Sequence, residues 1–231
     1  MDSIYSLDKT NQAALLDGVA LLSQFYWGPA VDASRDLLRG TYLKPFEALK
    51  PVMRYEPPGI LDELKAINTS FTSEDEIFQY LEQAYVRLFI NSRDGITAPL
   101  YASCYMPGGA PEDDSPLMGP PAVMIKERFE SKGLSLGDHI HEPPDHLSIE
   151  LEYLYFLLEK GWSTDDAALI DEAISFSAEI MLPWVLKFQQ RLFAVETECR
   201  FYQLITAILC AILRFIGASI HKPPASIRFT P

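Results

Sequence analysis

Residues His141-Glu142-Pro143-Pro144-Asp145-His146 hang two imidazoles and two carboxylates on a pair of prolines. Consecutive prolines fix φ, withhold two backbone donors and restrict Glu142 as well, so these side chains share a stiff turn. Two chemistries are open to them. Three of the four histidines, His139, His141 and His146, fall in this stretch with Glu142 and Asp145, a donor set that suits zinc or iron. Against a metal, an x-Pro-Pro-x segment is too stiff to wrap easily around one ion, and no cysteine joins it; none is expected. The plainer reading is a well-made helix start with a solvated histidine.

The elements that would position the turn read as helices. Pro144 suits a first helical position, and Leu147, Leu151, Leu154 and Leu158 recur at helical spacing, which predicts a helix over 144–160 with Asp145 in its first turn. Upstream, Leu15, Val19, Leu22 and Tyr26 form a stripe ended by Gly28-Pro29, with shorter helices expected at 31–39, 45–53 and 58–67. Ser73-Glu74-Asp75-Glu76 reads as a capping box, opening a helix with Ile77, Leu81, Tyr85 and Leu88 on one face. Further helices are expected at 120–132, 164–180, 182–193 and 197–219. No period-2 run is long enough for a convincing strand.

The predicted class is therefore all-α, a bundle of about nine to ten helices in two subdomains. Residues 1–133 form the N-terminal one, 134–143 a Pro-rich hinge, and 144–231 the C-terminal one. Residues 90–119 lack periodicity but carry Ile96, Leu100, Tyr101, Tyr105 and Met106, so an ordered excursion packed on the helices is expected.

Composition narrows the function. Hydrophobic residues at 48% argue against disorder, and a net charge of −13 argues against nucleic acid or anionic lipid as partner and suits a basic ligand. Met1-Asp2-Ser3-Ile4-Tyr5 shows no positive n-region ahead of an apolar core, so no secretory signal is expected. Phe201–Leu213 is apolar and uncharged but short of the ~20 residues a bilayer span needs, so no stable membrane insertion is expected. Cys104, Cys199 and Cys210 lack metal-like spacing, and a reduced, cytoplasmic protein fits them best. Ser103 and Cys104 sit in no nucleophile elbow, and no phosphate-binding or dinucleotide glycine motif occurs. Neither catalysis nor a cofactor is expected.

Two ordered blocks then carry a resemblance. Glu142-Pro143-Pro144-Asp145-His146-Leu147 resembles the E-P-x-D-H motif of the TorD/DmsD/NarJ-like redox enzyme maturation proteins. Upstream, Tyr85-x-x-Leu88-Phe89 and Ala98-Pro99-Leu100-Tyr101-Ala102-Ser103-Cys104-Tyr105 resemble that family's Y-x-x-L-F…A-P-P-W/Y-x-S-x-Y stretch, and Leu117-Met118-Gly119 continues the likeness. Leu100 stands in place of a frequent second proline, Tyr101 in place of a frequent Trp, and Asn91-Ser92-Arg93 where Gly-Pro is common.

The resemblance implies a cytoplasmic chaperone that binds the twin-arginine signal peptide of a molybdopterin-dependent reductase precursor and assists its cofactor loading before export. Guanidinium groups take carboxylates in fork geometry, which makes Glu142 and Asp145 candidate partners beside His146. Tyr85, Leu88, Phe89, Pro99, Leu100, Tyr101, Ser103 and Tyr105 are candidates to line a groove for the apolar part of the leader. A monomer or homodimer is expected. Two alternatives stay open: an assembly adaptor for a folded reductase subunit, and a weak nucleotide-binding factor.

Overall fold

In the computed structural model, residues 3–90, 96–106, 119–137 and 140–218 are described, and these are helical apart from their turns and connections. The long apolar stripe of the N-terminal region forms α1 (Lys9–Trp27), capped by the Asp8 carboxylate on Asn11 N–H at 2.8 Å. It ends at Gly28, whose φ of 113° is open to glycine and whose α-carbon faces the Tyr85 ring, where a Cβ would sit 3.4 Å away. Next come α2 (Val31–Arg39), α3 (Lys44–Leu49) and α4 (Ile60–Thr69). The box at Ser73 opens α5 (Glu74–Tyr85), with Glu76 N–H donating to Ser73 Oγ. The reciprocal arm reaches one residue further than the motif predicts, Glu76 Oε2 accepting from Thr72 N–H at 2.9 Å.

A π-helical turn, Val86–Ile90, extends α5, and α6 (Pro120–Ser131) begins with two prolines where missing donors cost nothing. The C-terminal part runs α7 (Leu147–Thr164), α8 (Ala167–Ser175), a π-helical segment Phe176–Met181, α9 (Leu182–Phe193) and α10 (Phe201–Gly217). Gly161 lets α8 approach α7: a Cβ there would meet the Ile170 side chain at 2.7 Å.

The architecture is all-α, and one hydrophobic core runs through it, taking in Leu15 and Phe46 from one side of residues 134–143 and Leu154 and Phe188 from the other. The nearly fully buried α10 packs against α1, α4, α5, α8 and α9, and Tyr26 shares a 2.7 Å hydrogen bond with its Thr206. No helix among the described residues is long and apolar enough to cross a membrane.

α1 and α7 lie side by side, cross-linked by two serines: Ser148 Oγ donates to Ser23 O at 3.0 Å, and Ser23 Oγ to Ser148 O at 3.2 Å. Side chains this small let the two backbones come close, which brings the end of α1 beside the start of α7. That start differs from the expectation. Residues 144–145 are a turn and His146 an extended bridge residue, not helix, and α7 begins at Leu147 with His146 as its N-cap. Asp145 therefore stands outside the first helical turn. The reason is that its backbone carbonyl is engaged by Ala102 N–H, in a separate segment.

Of the 90–119 excursion, the described part packs in part as expected: Leu100 and Tyr105 are buried with Ala98 and Ala102, and Tyr101 and Met106 are half-buried. Ile96 is exposed, a correction to the expectation, because it stands at the start of the segment outside the 100–102 pairing. Asn91-Ser92-Arg93 and Leu117-Met118 lie outside the described residues, as does His139.

Candidate functional site

The two sequence blocks meet. Residues 100–102 run antiparallel to 145–147 and exchange two backbone hydrogen bonds, Leu147 N–H to Leu100 O at 2.8 Å and Ala102 N–H to Asp145 O at 3.0 Å. Tyr101 and His146 face each other in this single bridge. The Asp145 side chain reinforces it, Oδ2 accepting from Ser103 N–H at 2.9 Å at the head of the 3-10 turn Ala102–Cys104. Asp145 thus caps the neighbouring segment, not its own helix. It is fully buried, and its charge is one of the causes that hold the buried Glu150 carboxyl well above the usual carboxylate range, burial being the larger. Glu150 Oε2 takes a hydrogen bond from the Trp184 indole at 3.0 Å.

His146 is 4% exposed, and its Nδ1 accepts the Ser148 N–H. That acceptor role needs the neutral ring with its proton on Nε2. Burial agrees, pushing the imidazole down to about 4, while the Glu142 charge opposes it weakly. Nearby carboxylates by themselves favour imidazolium; burial, invisible in the local sequence, outweighs them. The same Nδ1 engagement removes one metal-ligating lone pair, and among the described residues no three metal-binding side chains cluster.

The remaining candidates separate by exposure. Leu88, Phe89, Leu100, Ser103 and Tyr105 are buried. Phe89 packs edge-on against Tyr202 and Tyr85, and Tyr105 lies over Trp184 with its hydroxyl donating to Pro99 O at 2.9 Å. These side chains support the surface from below. Tyr85 and Pro99 are half-buried; the Tyr85 hydroxyl, pushed up to about 12 by burial, donates to Tyr26 O. Tyr101 and Glu142 reach the surface together, Tyr101 Oη donating to Glu142 Oε2 at 2.6 Å.

Behind this pair opens a cavity of about 650 Å³ between α6 and residues 134–136 and 141–144. Phe129, Leu134, Leu136 and the two prolines give it apolar walls; Glu142 and His141 stand among its polar lining. On the other side of Tyr101, the His146 ring is covered by Trp27, stacked at 4.9 Å and 16°. The Trp27 indole N–H donates to Glu152 Oε1 at 2.7 Å.

The cavity walls and the Trp27–Glu152 pair are absent from the sequence candidates. Only the packing of α1 on α7 brings Trp27 to His146 across more than a hundred residues. A tryptophan at the solvent-facing end of α1 was the one signal for it.

A family model described as nitrate reductase delta subunit matches residues 56–190. Among curated proteins, the chain is 33% identical over 123 residues to a chaperone protein TorD of Psychrobacter, spanning about half of that relative at 52% of its length. It is 30% identical over 157 residues to a chaperone protein TorD of Pasteurella multocida, 68% of this chain and 70% of that one. A solved structure from Archaeoglobus fulgidus, described as a redox enzyme maturation protein, aligns over 94% of this chain and 99% of its own at 17% identity and a TM-score of 0.47.

Proposed function

The chain belongs to the nitrate reductase delta subunit family, and on that premise we propose that it is a maturation chaperone whose ligand is the twin-arginine leader of a molybdopterin-dependent reductase precursor. One observation carries the reading. The Glu142 carboxylate is held by Tyr101 at the mouth of an apolar cavity, on a chain of net charge −13. Such a leader is cationic at its paired arginines and apolar beyond them. Glu142 offers a fork acceptor for a guanidinium, Tyr101 an aromatic face beside it, and the cavity a seat for the apolar segment of the leader. Burying one leucine-sized side chain there contributes about 1.5–3 kcal/mol, and a charge-assisted hydrogen bond about 1.5–3 kcal/mol. The buried members, Asp145 and His146 included, act by fixing the turn that presents Glu142.

Calorimetry with a synthetic leader and its Lys-Lys counterpart tests this. The Arg-Arg peptide binds, and the Lys-Lys peptide binds more weakly by about one to a few kcal/mol, because lysine is a point donor without the fork. Equal affinity removes the arginine-reading role. Failure of either peptide to bind, with capture of the folded reductase instead, supports the adaptor.

A further inference from the structure

The aromatic row does not end at Tyr101, and neither do the carboxylates. Glu142 is fixed by the Tyr101 hydroxyl, Tyr101 meets the His146 ring edge-on at 5.3 Å, His146 stacks on Trp27 at 4.9 Å, and Trp27 fixes Glu152. Each end of this row is a carboxylate anchored through one oxygen by an aromatic donor. Neither has a cationic partner among the ion pairs of the described residues. Trp27 keeps 37% of its surface exposed despite stacking on His146, and Glu152 is exposed.

A ligand with two adjacent arginines needs such an arrangement. In an extended peptide, successive side chains point to opposite faces, so two neighbouring guanidinium groups diverge. One carboxylate cannot take both in fork geometry. We infer that Trp27 and Glu152 form a second guanidinium seat, so that one arginine of the pair binds at Glu142–Tyr101 and the other at Glu152–Trp27, with the His146 ring as the spacer between them. Tryptophan is the strongest cation–π partner among the aromatic residues, and an indole already bonded to a carboxylate is fixed in orientation. The cavity behind Tyr101 lies at the Glu142 end of the row, so the apolar part of the leader leaves from there. This inference rests on the leader-binding reading and adds to it a second acceptor, supplied by α1 and α7.

The test is a grid of four peptides, carrying Arg-Arg, Arg-Lys, Lys-Arg and Lys-Lys, titrated against the full-length protein and its Glu152→Gln, Glu142→Gln and Trp27→Phe forms. Glu152→Gln is expected to weaken the Arg-Arg peptide about threefold to tenfold, the scale of an exposed charge-assisted contact. It also abolishes discrimination between Arg and Lys at one of the two positions, and Glu142→Gln does the same at the other. Trp27→Phe keeps a ring on His146 but loses the indole donor, and matches Glu152→Gln. Tryptophan emission of the full-length protein shifts on peptide binding, and the shift is lost in Trp27→Phe. If the wild type binds and Glu142→Gln weakens it, while Glu152→Gln stays within twofold and keeps both discriminations, the second seat is wrong and the leader-binding reading survives. If the wild type binds none of the peptides, both fall. Melting curves of the exposed Glu152→Gln variant are expected to overlay the wild type, which separates loss of the seat from loss of the fold.

Discussion

Glu142 and Asp145 are three residues apart in one turn, carry the same functional group, and live in different solvents. Glu142 is half-buried and bonded through one oxygen to a tyrosine hydroxyl at the rim of an open cavity. Asp145 is fully buried and bonded to a backbone N–H of another segment. The histidine beside it divides the same way: Trp27 stacks on its ring, Tyr101 meets it edge-on, and its Nδ1 is used by its own helix. A short motif therefore holds two kinds of residue, some turned to a ligand and some turned inward to hold the turn. Exposure is what sorts them.

The sharpest way to break this comparison is to remove the inward carboxylate. Asp145→Ala deletes a buried hydrogen bond to Ser103 N–H and leaves that donor unpaired, so a loss of about 2–4 kcal/mol is expected in urea melts. Leader affinity of the molecules still folded falls less than in Glu142→Gln, since the turn that presents Glu142 is loosened but the carboxylate itself is kept. If stability holds and binding vanishes, Asp145 belongs with Glu142 instead.

Next in size is the pH dependence of folding. His146 has a folded pKa of about 4, below the ~6.5 of an unfolded histidine, so the unfolded chain binds the extra proton first. Its contribution is complete above about pH 6.5 and is lost as pH falls toward 4. At ~1.4 kcal/mol per unit that is about 3 kcal/mol in all. Glu150 has the opposite sign: its raised pKa favours the fold below the unfolded value of ~4.5 and loses that contribution as pH rises through the folded one. His146→Gln should flatten the acid limb of a stability–pH curve, and an unchanged slope would mean the ring is solvated. Leader affinity, by contrast, is expected to stay flat through the ordinary histidine range as far as His146 is concerned.

Glu142→Gln sharpens the outward side. Binding weakens by about 1–2 kcal/mol in calorimetry, while the melting midpoint moves by no more than about 0.5 kcal/mol of stability, as for a group that water already reaches. The smallest effect belongs to a remote control. The Arg35–Glu74 pair at 3.1 Å is exposed on both sides, so Arg35→Ala should cost about 0–0.5 kcal/mol and leave binding unchanged.

Much of the fold was legible as pattern. The stripe from Leu15 to Tyr26 became α1, residues 31–39 were bounded as they fold, and Ser73 caps α5. Helical spacing and caps are local, so they survive in one dimension. Some boundaries misled: the helix expected over 45–53 ends at Leu49, the one expected from 197 starts at Phe201, and the one that matters for the site is at Pro144. A proline there fits a first helical position, yet Asp145 and Leu147 spend backbone groups on residues 100–102, and α7 waits until Leu147. Leu88 and Phe89 show the same limit: an apolar pair in sequence could line a groove, and it packs into the core.

By itself, the sequence determined the helical class, the capped starts, the acidic balance and the two blocks that resemble one family, because each is a matter of residue type at short separation. Only the tertiary structure decided which motif residues meet water, that His146 is neutral, and that Trp27 and Glu152 stand beside the turn. Those outcomes depend on how α1 packs against α7 and how 100–102 pairs with 145–147. Both contacts close long loops of chain, and their energies come from burial that no local spacing records.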